Sequence, residues 1–145
     1  GGGLIRDHER RLIFTFYKEF GEVDALTAES LSLLHGLQLC KNARVEGLFV
    51  KLDSESLACL LNAGILSKWL LCNSLQRIRD LLRNLHSTVT HIFREANNAT
   101  DKLASMETRD DFLCTTIQQL LGVVKVAILL DSREFSFVCM QVVTA

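Results

Sequence analysis

The stretch Gly47-Leu48-Phe49-Val50-Lys51-Leu52-Asp53 constrains the fold more than any other part of the chain. Leu48, Phe49, Val50 and Leu52 make it almost continuously apolar, which reads as a strand covered on both faces. Such a strand belongs in a sheet with helices packed on it. The flanking sequence supplies them. Two short extended segments precede it, residues 2–6 and 11–17. The second sets Leu12, Phe14 and Phe16 against Arg11, Thr15 and Tyr17, with Ile13 breaking the alternation. The polar Asp7-His8-Glu9-Arg10 between them suits a hairpin turn. A helix is expected from about Thr27, as its cap, to Ala43, with Leu33, Leu34, Leu37 and Cys40 as its apolar stripe.

Beyond the apolar strand, Asp53-Ser54 begins a helix that ends near Gly64, a C′ residue. Another helix spans about Asn73 to Leu85. Leu75, Ile78, Leu81, Leu82 and Leu85 form its apolar face, flanked by Arg77, Arg79 and Arg83. Val89 to Glu95 is a strand, and Asn97 or Asn98 caps a helix carrying Asp101, Leu103 and Ala104. Val123 to Leu130 fits strand and helix equally well, and Phe135 to Val143 looks extended. The order β-β-α-β-α-α-β-α predicts an α/β fold, a mixed sheet with helices packed against it.

With 145 residues, the chain has the size of a single domain. The expected layout is one domain over 1–145, its core about 1–106 and its tail 107–145. A hydrophobic fraction of 48% excludes disorder. The net charge of −1 gives no bulk attraction to nucleic acid or membrane. The longest uncharged run, Phe112 to Val124, is shorter than the roughly 18 apolar residues of a membrane span, so no membrane association is expected. Five cysteines, at 40, 59, 72, 114 and 139, form no C-x-x-C pair. They read as reduced, buried thiols of an intracellular protein rather than zinc ligands. The chain has no proline, and nothing in the sequence accounts for that.

Three acids stand where an α/β sheet gathers its chemistry. Glu29 falls in the expected first turn of the first long helix. Asp53 ends the apolar strand, and Asp101 lies near the start of the last clear helix. Strand ends and helix starts converge on one edge of such a sheet. Each acid also has an ordinary structural role: a helix-dipole partner for Glu29 and Asp101, an N-cap for Asp53.

In this order and spacing the sequence resembles the ribonuclease H-type domain of plant retroelement-related proteins, the reverse-transcriptase-like branch of the RNase H superfamily. Four stretches carry the resemblance: Gly2-Gly3-Leu4-Ile5-Arg6-Asp7-His8-Glu9 leading to Arg11-Leu12-Ile13; Thr27-Ala28-Glu29-Ser30-Leu31 continuing to Leu34-His35-Gly36-Leu37; Val50-Lys51-Leu52-Asp53-Ser54; and His91-Ile92-Phe93-Arg94-Glu95-Ala96-Asn97 with Ala99-Thr100-Asp101-Lys102-Leu103-Ala104. The tail segment Ile128-Leu129-Leu130-Asp131 is similar as well.

The resemblance implies an RNase H-like mixed sheet and an endonuclease that cleaves the RNA strand of RNA–DNA hybrids, with two Mg²⁺ (or Mn²⁺) ions and no small-molecule cofactor. Glu29, Asp53 and Asp101 match the second, third and fourth carboxylates of the family. Glu29 and Asp53 would hold the metal at the leaving group, and Asp101 the metal that activates water. Hard oxygen ligands suit such ions, and paired ions suit an in-line displacement. The family's first carboxylate lies on a strand that would precede Gly1. The expectation is therefore an N-terminally truncated domain with an unpaired sheet edge, weak metal binding, and slow cleavage or none. The alternative is an impaired RNase H-like module that binds nucleic acid or a protein without catalysis. Arg94 and Asn97 are candidates for phosphate and 2′-hydroxyl contacts, as is a basic stripe of Arg77, Arg79 and Arg83. His91 is a candidate for proton transfer, although its mid-strand position suits a buried core histidine.

Overall fold

A computed structural model describes residues 1–9, 11–63, 71–92, 112–114 and 139–143. Strands β1 (Gly2–Arg6) and β2 (Leu12–Tyr17) form an antiparallel hairpin. Its turn is tied by Asp7, whose Oδ1 accepts from the backbone N–H groups of Glu9 and Arg11, both at 2.9 Å. That is the local bonding that makes Asp a turn residue. Helix α1 (Ala25–Asn42) follows, then β3 (Phe49–Leu52), α2 (Glu55–Ala63), α3 (Cys72–Asn84) and β4 (Thr88–His91). Strands β5 (Phe112–Cys114) and β6 (Cys139–Val143) come from the stretch read as a tail.

These strands make one sheet in the order β4-β3-β6-β1-β2-β5. Strand β3 pairs in parallel with β4, a geometry that needs a crossover, which α2 and α3 provide. Strand β6 runs parallel to β3 and antiparallel to β1, so it joins the parallel and antiparallel halves. The expected unpaired edge beside β1 and β3 is therefore not found. Hydrogen bonding from the C-terminal strand fills the gap, satisfying backbone groups on both neighbours.

One face of the sheet packs on the helices. Ile5, Phe14, Phe16, Val50, Leu52 and Val89 meet Leu33, Leu34, Leu37 and Cys40 of α1, and Leu57, Leu61, Leu75, Ile78 and Leu82 of α2 and α3. The other face of the hairpin is buried too: Leu4, Thr15 and Tyr17 are all under 10% exposed. Helix α1 approaches the sheet so closely that a Cβ at Gly1 would collide with Ser32 Oγ.

Several elements differ from the sequence expectation. Helix α1 starts two residues before Thr27. Its N-cap is Asp24, whose Oδ1 accepts from Thr27 N at 2.7 Å. Asp24→Ala is expected to cost about 1 kcal/mol in urea unfolding, while Thr27→Ala stays within about 0.5 kcal/mol. Strand β3 is shorter than Gly47–Asp53. Of the thiols expected to be buried, Cys40 is, whereas Cys59 is exposed on α2. His91 is exposed on the edge strand β4 rather than buried, because nothing pairs on that strand's outer side among the described strands. The expected helix at Asp101 and the segment Val123 to Leu130 lie outside the described residues.

Candidate functional site

Glu29 continues the sheet-facing stripe of α1. It lies four residues before Leu33 and eight before Leu37, so all three share one helical face. Leu33 and Leu37 are fully buried, and Glu29 is only 3% exposed. A carboxylate thus occupies a core position. It is not in the first turn, which holds no acid, so the helix dipole does not explain it.

Asp53 follows the last residue of β3. It does not cap α2 as expected. Ser54 does: its Oγ accepts from Leu57 N at 3.2 Å, and its carbonyl accepts from Ala58 N at 3.1 Å. With Ser54 in that role, Asp53 is left half-buried at the carboxyl end of the sheet, where it hydrogen-bonds the Glu29 side chain. The backbone N–H of Ser54 donates to Glu29 Oε1 at 3.3 Å. Sequence reading missed this Ser54 contact. The serine after Asp53, a cap-type residue three positions before Leu57, was its only signal.

Burial and then the neighbouring Asp53 charge push the Glu29 carboxyl up to about 8, against the opposing pull of the Ser54 hydrogen bonds. Near neutral pH the pair therefore holds a proton between two carboxyl groups. Such an arrangement is costly unless a cation or proton compensates it, and it offers hard oxygen donors to a divalent ion. His91 lies close in register, since it pairs with Leu52, one residue before Asp53. Among the described residues no third acid, His or Cys joins Glu29 and Asp53 in a metal-holding group. Asp101, Arg94 and Asn97 lie outside the described residues.

The three arginines of α3 do not form one stripe. Arg79 and Arg83 line a groove with Asn62, Ser87 and Thr88 beside β4, and Arg79 Nη2 donates to Leu60 O at 2.7 Å. Arg77 lines a different groove, with Gln38 and Lys41 of α1. Residues two apart on a helix point to different sides, whereas i and i+4 share a face.

Among the described residues, a mixed sheet with helices packed on one face and an acid pair at the carboxyl end of β3 defines an α/β domain. The sequence profile of the reverse transcriptase-like family matches residues 1–107, and the chain belongs to that family, whose domains are ribonuclease H-like. No curated protein and no solved structure matches the chain significantly. No helix among the described residues is long and apolar enough to cross a membrane.

Proposed function

We propose that the chain is a ribonuclease H-type endonuclease domain that hydrolyses the RNA strand of RNA–DNA hybrids at the edge bearing Glu29 and Asp53. The observation that carries this reading is the pairing of a core-buried Glu29 with Asp53, when neither acid serves a cap or a helix dipole. The donor set fits Mg²⁺ or Mn²⁺: carboxylate oxygens, one of them desolvated and in need of positive charge. Glu29 and Asp53 would hold the metal at the leaving group, and Asp101 would help hold the metal that activates water. When bound, the two ions would supply activation of the attacking water and stabilisation of the leaving 3′-oxygen.

The remaining work falls to this chain's own groups. The Ser54 N–H fixes the Glu29 carboxyl, so the acid does not have to be ordered on binding. Glu29 gives up its proton when a cation binds, so affinity rises with pH. Arg79 and Arg83 offer charge to the phosphate backbone, while Arg94 and Asn97 are kept as candidates for sugar and phosphate contacts. His91 is a candidate for moving a proton at the same edge.

A second reading, hybrid binding without cleavage, is favoured by one observation. Strand β6, which lies beside β3, is Cys139-Met140-Gln141-Val142-Val143 and brings no carboxylate.

The test is cleavage of an end-labelled RNA–DNA hybrid with Mg²⁺ or Mn²⁺, comparing the wild-type chain with Asp53→Asn. The expected result is metal-dependent cleavage reduced at least about a hundredfold in the variant. A folded wild-type protein that binds the hybrid without cutting it supports the second reading. One that neither binds nor cuts overturns both.

A further inference from the structure

Helices α2 and α3 leave a groove of about 470 Å³ beside β4, within the range of ligand sites. It lies at the entry to β4, at Ser87, Thr88 and Val89, whereas Asp53 follows the far end of β3. Its floor is apolar: Leu61, Leu82 and Val89 are all under 10% exposed. Arg79, Leu82 and Arg83 are spaced i, i+3 and i+4, so α3 turns two cations and a leucine to one side. Arg79 is anchored there by its bond to Leu60 O, and the Arg83 side chain is 76% exposed. Asp80 reaches Arg83 Nη1 only at 3.8 Å and lines the other groove of α3.

The remaining wall is a strand edge. The backbone N–H groups of Thr88 and Ile92 donate to the carbonyls of Leu48 and Leu52, so Val89 and His91 turn theirs away from β3. No described strand pairs on that outer side. The outward carbonyl of Val89 accepts from the Asn62 side-chain amide at 3.3 Å, longer than a usual N–H···O bond. A side chain thus stands where the N–H of a further strand would be. We propose that this groove binds an acidic peptide in extended form. The peptide adds to β4 as a strand, sets carboxylates against Arg79 and Arg83, and seats an apolar side chain on the floor. Strand residues two apart share a face about 6–7 Å apart, close to the roughly 6 Å rise between Arg79 and Arg83. A phosphate backbone would also meet the two arginines, but it brings no strand for β4 and no side chain for the apolar floor.

The probe is a fluorescein-labelled peptide, Thr-Leu-Thr-Glu-Thr-Glu-Thr-Leu-Thr, whose leucines at both ends suit either chain direction. Its anisotropy is measured with the full chain, without metal. Wild type is expected to bind it, and Arg83→Glu to bind about tenfold more weakly or worse. Thermal midpoints check that the variant, changed at an exposed position, is folded. The same peptide with lysines for its glutamates should bind about tenfold more weakly or worse than the parent. So should the peptide N-methylated at its central Glu-Thr-Glu, which keeps both charges but cannot pair as a strand.

Three results overturn the proposal: no binding by folded wild type, equal binding by Arg83→Glu, or full-strength binding of the N-methylated peptide. In ¹H–¹⁵N spectra the parent peptide should shift the amides of residues 87–91. A hybrid that shifts them when the peptide does not gives the arginines to a phosphate backbone, and the proposal falls. The outcome separates from that of the proposed function. Peptide binding by a chain that never cuts a hybrid keeps the groove assignment and removes the nuclease, and hybrid cleavage without peptide binding does the reverse.

Discussion

Glu29→Gln is expected to stabilise the metal-free protein, and to do so only above mildly acidic pH. The Glu29 carboxyl is raised from 4.5 to about 8 by burial and by Asp53. Below the unfolded value it is protonated in both states, and the substitution changes little. As pH rises toward about 8, the unfolded chain releases the proton while the folded protein keeps it, so stability falls across that window. Above it, the folded protein carries the full cost of two adjacent buried carboxylates. The neutral amide removes that cost and keeps an acceptor for the Ser54 N–H. Urea unfolding in the presence of a chelator should therefore show wild type and Glu29→Gln converging near pH 4.5. They should separate by on the order of 3 kcal/mol above about pH 8. Saturating Mg²⁺ should close the gap by stabilising the wild type alone. Parallel curves across the whole range would contradict the pairing of Glu29 with Asp53.

Gln141→Pro is expected to unfold the protein or come close to it. Gln141 is in the middle of β6, opposite Leu4 on one side and Lys51 on the other. Proline there removes a donor from the ladder of an interior strand, and the acceptor left unpaired alone costs about 1–3 kcal/mol. The position matters more than the residue, because β6 joins β1 to β3 and no other described strand does. Circular dichroism and thermal unfolding should show a large loss of cooperative structure. A Gln141→Pro protein with the wild-type midpoint would mean that β6 does not hold the sheet together.

The local parts of this fold were legible in the sequence. Alternation in Leu12, Phe14 and Phe16, with Asp7 in the turn, marked the hairpin. Leucine spacing marked the buried faces of α1 and α3. What failed was mostly a matter of choosing between equivalent local signals or of long-range pairing. Asp24 and Thr27 are both cap-type residues, and taking Thr27 placed Glu29 one turn too early. That made a core carboxylate look like a dipole partner. Asp53 and Ser54 posed the same choice, with the same effect. Strand β6 read correctly as extended, but local periodicity cannot say which strands it joins. Strand β5, at three residues, is too short to show a period at all. The family resemblance pointed to Glu29 and Asp53 before any contact between them was on view; Asp101 rests on that resemblance alone.

The central claim is that Glu29 and Asp53 form one divalent-cation site. Paramagnetic broadening by Mn²⁺ in ¹H–¹⁵N spectra tests it most directly, because it locates even weak binding. The account predicts that amides of residues 28–30 and 52–55 broaden first, and that Asp53→Asn abolishes the effect. Broadening centred elsewhere, or unchanged in Asp53→Asn, would contradict it.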